Sequence, residues 1–157
     1  MHGHFNISDL SEHECREVVD RLGLLKWLDS FAVGDDEMDR QHHRFLNLAA
    51  QVPVLIEGKA PVAEVRAAVR AMHEDTVNHF VSEEALLSEI AFPGLDRHRV
   101  AHQDILYSFA ELEKSLDGID DVHKLGAMAH RIIMTILEHI LGEDMLYKSC
   151  LMRSRGL

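Results

Sequence analysis

Apolar residues recur every three or four positions along most of this chain, and no stretch alternates apolar with polar as a half-buried strand would. Ser11-Glu12-His13-Glu14 is a capping-box pattern, a serine followed three residues later by an acidic side chain. Cys15, Val18, Leu22 and Leu25 follow at helical spacing, with Gly23 as a stop. The pattern predicts a short amphipathic helix from about Glu12 to Leu22, then an apolar, non-helical arm through Trp27, Leu28 and Phe31. Asp35-Asp36 opens a first long helix that runs from about Glu37 into the 50s. Pro53 removes one of its hydrogen bonds and crowds the carbonyl of Ala49, so this helix should kink there or end near it. Pro61 suits the first turn of a second helix reaching about Ile90, where Phe92-Pro93-Gly94 breaks it. A third spans roughly Leu95 to Leu116, and a fourth, capped by Asp120 or Asp121, continues to about Lys148.

Four long amphipathic helices with short connections predict an all-α, antiparallel up-down-up-down bundle, preceded by the extra short helix and arm. The chain of 157 residues divides into an N-terminal extension (1–23), the bundle (24–150) and a C-terminal tail (151–157). A net charge of −11 with scattered Lys and Arg argues against nucleic acid as a partner. The mildly basic stretch from Lys148 to Arg155 is better placed to complement the end of the last helix. Cys15 and Cys150 make no disulfide framework and are expected as free thiols in a reducing compartment. The first residues show no secretory pattern, and no run approaches the 18 or so apolar residues of a membrane span. The expectation is a cytoplasmic protein with no membrane association.

Against this background three local pairs stand out: His79 with Glu83, His98 with His102, and His139 with Asp144. Residues four apart on a helix share a face. Singly each pair is weak, because most helical histidines are solvated or hydrogen-bonded and most helical carboxylates simply face water. The topology is what raises them. In an up-down bundle the start of helix one, the end of two, the start of three and the end of four lie at the same end. His42, His79, Glu83, His98, His102, His139 and Asp144 all fall there. His43 neighbours His42 and should point away from the core, while His13, His73, His123 and His130 lack partners at ligand spacing.

Five imidazoles, two carboxylates and no sulfur suit iron, with manganese and zinc as competitors. A structural zinc site closes with four ligands, so seven point to two ions. If Glu83 and Asp144 both bridge, together with an oxo or hydroxo group, the ion with three histidines has six ligands. The ion with two histidines has five and keeps one position open. An odd number of histidines thus builds an unequal pair suited to binding a small molecule.

From about Leu24 to Lys148 the chain resembles the bacterial hemerythrins. The matching features are Lys26-Trp27, Asp39-Arg40-Gln41-His42, His79-Phe80 through Glu83-Glu84, Phe92-Pro93, His98 with His102, and His139-Ile140 through Asp144. The resemblance implies two non-haem iron ions with an oxo or hydroxo bridge. His98, His102 and His139 would hold the saturated iron, His42 and His79 the open one, and Glu83 and Asp144 would bridge. It also implies reversible binding of dioxygen, for storage, delivery or sensing, rather than turnover. Phe80, Thr135 and Ile136 would stand around the bound gas. Family members commonly carry a tryptophan where this chain has Thr135, four residues before the last histidine, and leucine where it has Ile136. A smaller, polar wall predicts easier entry of water.

Two other classes compete. A di-iron enzyme reducing peroxide or nitric oxide would profit from an open pocket beside Thr135. A signalling or iron-handling module would use the N-terminal helix to bind a partner or a second copy. Ferritin-type oxidation is disfavoured, since no histidine has a glutamate three residues before it. One geometric conflict remains. His139 and Asp144 are five apart, which places them about 140° apart around an ideal helix. A π-bulge at Gly142, with an i→i+5 bond from Asp144 to His139, is expected to bring them together.

Overall fold

The computed structural model describes residues 32–157, so the expected helix at Glu12–Leu22 and the arm through Trp27 lie outside the described residues. Within them run α1 (Asp36–Glu57), α2 (Val62–Glu89), α3 (Leu95–Leu116) and α4 (Val122–Leu141). A 3-10 turn (Asp144–Tyr147) and a last short helix, α5 (Lys148–Ser154), follow. No strand occurs among the described residues, and the long helices form the antiparallel four-helix bundle. No described helix is long and apolar enough to cross a membrane.

Local chemistry explains the helix ends. The Asp35 carboxylate accepts the Met38 N–H at 3.0 Å and caps α1, whose first turn is acidic. Asp39 reaches back to accept the Val33 and Gly34 amides at 2.8 and 3.3 Å, which fixes how the chain enters the bundle. Of the two caps expected for α4, Asp121 is the one used, accepting from His123 and Lys124. Pro53 does not end α1. It is buried inside the helix, which runs on to Glu57. A proline costs a helix roughly 3 kcal/mol, and burying a large apolar side chain returns about 1.5–3 kcal/mol. Val52 and Ile56 flank Pro53 in the core.

Two apolar clusters stack along the bundle. The larger, from Phe45 through Met72, Phe109 and Leu125 to Ile140, fills most of its length. At Gly126, α4 approaches α1 so closely that an added Cβ would sit 2.6 Å from Ile56 Cδ1. At the far end, Arg66 ties α2 to the α3–α4 turn, donating to the carbonyls of Leu116 and Ile119 at 2.9 Å. The smaller cluster, Val33, Met38, Leu87, Tyr147 and Leu151, closes the opposite end.

The fourth helix is shorter than its pattern suggests. It stops at Leu141 rather than near Lys148, and the stretch expected as a tail from residue 151 begins inside α5, with Leu151 buried. The physical reason is the second cluster. Ending α4 at Gly142 lets Tyr147 and Leu151 turn under the bundle and cap it, where a straight helix would carry them into solvent. Arg155 holds this cap to the entering chain through the Gly34 carbonyl and the Asp35 carboxylate.

Candidate metal centre

Each bundle helix delivers polar side chains to the layer between the two apolar clusters: His42 from α1, His79 and Glu83 from α2, His98 and His102 from α3, and His139 from α4. Asp144 arrives from the 3-10 turn. All seven are buried. They fall into two groups able to hold a metal ion, one of Glu83, His98, His102, His139 and Asp144, the other of His42, His79, Glu83 and Asp144.

The two carboxylates belong to both groups, and each turns one oxygen to each. Glu83 Oε1 lies 2.6 Å from His98 Nε2 and 2.9 Å from His102 Nε2, while Oε2 lies 3.5 Å from His79 Nε2 and 3.8 Å from His42 Nε2. Asp144 Oδ1 is 3.0 Å from His139 and 3.2 Å from His98, and Oδ2 is 3.1 Å from His42. Despite this proximity, both Asp144 oxygens and the Nε2 atoms of His42 and His79 are buried without a hydrogen bond of good geometry. Buried polar atoms are rarely left so. Lone pairs converging on shared space between two carboxylates fit two cations, and no site residue competes with a sulfur or an ammonium.

Without cations the cluster must hold protons instead. Burial disfavours the charged form of His98 and His139, but the Asp144 and Glu83 carboxylates beside them outweigh it and raise both to about 9. His79 lacks such a bond, and burial lowers it to about 4. Burial and the Glu83 charge push Asp144 up, yet the nearby His139, His42 and His98 imidazoles hold it well below the usual carboxylate range. Glu83 is likewise held low, against its burial, by His102, His139 and His98.

Beyond the seven, three residues that the spacing did not single out complete the site. The Tyr147 hydroxyl, fully buried, donates to Glu83 Oε2 at 3.0 Å. Gln41 Oε1 lies 2.6 Å from His79 Nδ1, and Glu84 Oε1 lies 2.8 Å from His102 Nδ1. Gln41 and Glu84 each adjoin a candidate ligand in sequence and fall within the stretches that resemble the family, which was their signal. Tyr147 had none, because its approach depends on where α4 ends.

That ending also corrects the geometry expected at Asp144. No π-bulge forms. The Gly142 amide bonds Glu138 at the ordinary i→i+4 spacing, and Leu146 bonds Glu143 at i→i+3. Breaking the helix and tightening the next turn brings Asp144 under the cluster, whereas a widened turn would have kept Tyr147 and Leu151 on a continuing helix.

Around the cluster, Phe80 stacks on the His102 ring, centroids 3.7 Å apart and planes 6° off parallel. Ile136 is buried in the main core. Thr135 is exposed, and its hydroxyl donates to the Arg131 carbonyl. It borders a groove of about 370 Å³ between α3 and α4, with Ile105, Leu112, Met128 and Ile132 among its lining. The structure thus places Thr135 on this groove, whose lining includes none of the seven candidate ligands, and not beside them. His73, outside the cluster, pairs with Glu113 at 2.6 Å and stacks on Phe109.

Comparison with known proteins agrees with this geometry. The chain is 28% identical over 131 residues to a bacteriohemerythrin of Stenotrophomonas maltophilia, covering 80% of each chain. It is 28% identical over 122 residues to a myohemerythrin of Riftia pachyptila, covering 78% of this chain and 89% of that one. A hemerythrin-like protein of Naegleria gruberi is 27% identical over 125 residues, which cover 80% of this chain and 92% of that protein. No solved structure matches. Residues 33–151 match the hemerythrin HHE cation binding domain, and the chain belongs to the hemerythrin family.

Proposed function

We propose that this chain holds a non-haem di-iron centre and binds dioxygen reversibly at it, for storage, delivery or sensing in the cytoplasm. One observation carries the reading: two carboxylates, each aimed at both of two histidine groups that number three and two. Three histidines against two would make the first position the fuller and leave the second with room for a small ligand. His98, His102 and His139 would hold the first ion, His42 and His79 the second, with Glu83 and Asp144 across both. When bound, a di-iron pair supplies two electrons and an open coordination position for a small diatomic ligand.

The chain's own residues do the rest. Tyr147 fixes Glu83 by its hydrogen bond, so the shared carboxylate is oriented before any ion arrives. Phe80, stacked on His102 and 5.8 Å from His79 between ring centroids, and the buried Ile136 would form the apolar wall that excludes water from the cluster. The larger core on one side and the Tyr147 cluster on the other keep the surroundings dry. Binding rather than turnover is the reading that these apolar surroundings favour.

The test is metal analysis together with the visible spectrum under air and after anaerobic reduction. Two irons per chain, and charge-transfer bands that bleach on reduction and return with oxygen, are expected. One ion, or zinc alone after iron-replete expression, rejects the reading. Thr135→Trp tests the groove. On the reading that water reaches the centre through this groove, an indole there covers it, and autoxidation of the oxygenated protein is expected to slow several-fold. An unchanged or faster rate in stopped-flow decay would show that water enters elsewhere.

A further inference from the structure

His79 and His102 both aim Nε2 at the cluster, so Nδ1 carries the proton in each and donates it outward. Their acceptors differ in charge. His79 meets a neutral amide, Gln41 Oε1 at 2.6 Å, and His102 meets a carboxylate, Glu84 Oε1 at 2.8 Å. The amide's orientation is determined by its other neighbour. Gln41 Nε2 donates to Glu37 Oε1 at 3.0 Å, and a carboxylate there can only accept, so the carbonyl end must face His79. Glu37 is itself held by Arg40 at 2.5 Å. Glu84 has a comparable support, with Arg99 Nε 3.5 Å from its second oxygen.

An anionic acceptor draws the imidazole proton outward and makes the opposite nitrogen a stronger donor, while a neutral acceptor does so far less. We infer that Gln41 and Glu84 are positioning residues that make the two metal positions electronically unequal: Glu84 strengthens His102 and favours the oxidised ion at the three-histidine position, while Gln41, oriented by Glu37, keeps His79 a weaker donor and the two-histidine position the more readily reduced. The position with room for a small ligand is thereby the one that is kept reduced more easily. This inference rests on the di-iron reading and goes beyond it, because ligand count alone says nothing about which ion is reduced first.

The experiment is anaerobic titration of the metal-free chain with ferrous iron, followed by Mössbauer spectra and spectroelectrochemical midpoints of the loaded protein. It compares the unaltered chain with Gln41→Glu, Glu84→Gln and Glu37→Ala. All three changes lie on helix surfaces at least partly open to solvent, and circular dichroism reports whether each variant folds. Glu84→Gln should raise the midpoint and weaken iron binding by about 10- to 100-fold at one position. Gln41→Glu should shift the midpoint the opposite way and move the Mössbauer doublet of the other iron. Glu37→Ala frees the amide to turn and should weaken iron at the Gln41 side only. Two irons bound with unmoved midpoints and doublets, or the same direction of shift from Gln41→Glu and Glu84→Gln, overturns the inference and leaves the di-iron reading standing. Failure of the unaltered chain to take up two irons overturns both.

Discussion

Replacing Glu83 with alanine is expected to cost the chain both metal positions, lowering its content from two ions to fewer than one. Glu83 is fully buried and gives one oxygen to each histidine group, so a single substitution removes a ligand and a negative charge from both. Two divalent ions would then face one remaining carboxylate, Asp144, in a layer from which water is excluded. Desolvating cations with so little compensation is prohibitive. Truncation also leaves the Tyr147 hydroxyl and the surrounding imidazoles unpaired. Removing one partner of a buried pair costs about 3–5 kcal/mol. Glu83→Gln, which keeps the shape and loses the charge, separates loss of metal from loss of fold. His42→Ala is the contrasting case, since His42 serves only the two-histidine group, and one ion should remain. Elemental analysis after iron-replete expression decides between them. Two ions retained in Glu83→Gln and Glu83→Ala would reject a shared carboxylate. His43→Ala and His73→Ala should leave the content unchanged, and His73 is already engaged by Glu113 and Phe109.

Stripping the metal should make stability strongly dependent on pH. In the metal-free chain His98 and His139 titrate at about 9, above the ordinary 6.5 of an unfolded histidine. A group raised on folding contributes stability that is complete below 6.5 and lost as pH rises through about 9. His79 acts in reverse. Lowered to about 4, it favours unfolding more and more as pH falls from 6.5 to about 4, keeps that full effect below 4, and has none above 6.5. Glu83 and Asp144, both held low, contribute stability above the ordinary carboxylate range that disappears in acid. The metal-free melting temperature should therefore peak near pH 6.5 and fall toward 9. Metal replaces the protons on the Nε2 atoms, so the loaded protein should melt higher and lose the slope between 6.5 and 9. Loading near pH 7.5 should release on the order of two protons per chain, as metal displaces them from its ligands. Calorimetry with and without chelator checks the slope, and an indicator dye checks the release. A metal-free profile that is flat from 6.5 to 9 would show that the histidines are not held charged by the two carboxylates.

Helical periodicity alone determined the four long helices, their order and the end of the bundle where seven ligand-type side chains meet. That succeeds because each element carries its own start and stop chemistry, Asp35 and Asp121 at two starts and Phe92-Pro93-Gly94 at a break, and because short connections leave an antiparallel arrangement as the economical packing. The spacing of His79 with Glu83 and of His98 with His102 is a property of a helix, so it too could be read before any packing was known. The tertiary structure alone decided what depends on residues distant in sequence. Pro53 stays inside α1 because the core beside it is worth more than the bond it removes. Thr135 opens on a groove because of how α3 and α4 lie against one another. Above all, α4 ends at Leu141. From His139 to Lys148 the local pattern favours one continuous helix, and that helix is given up because Tyr147 and Leu151 bury themselves against Val33, Met38 and Leu87, dozens of residues earlier. Local propensity differs by tenths of a kcal/mol per residue between ordinary side chains, while burying each large apolar side chain is worth roughly ten times as much. The break that packing imposes is what carries Asp144 between the two histidine groups and Tyr147 to Glu83.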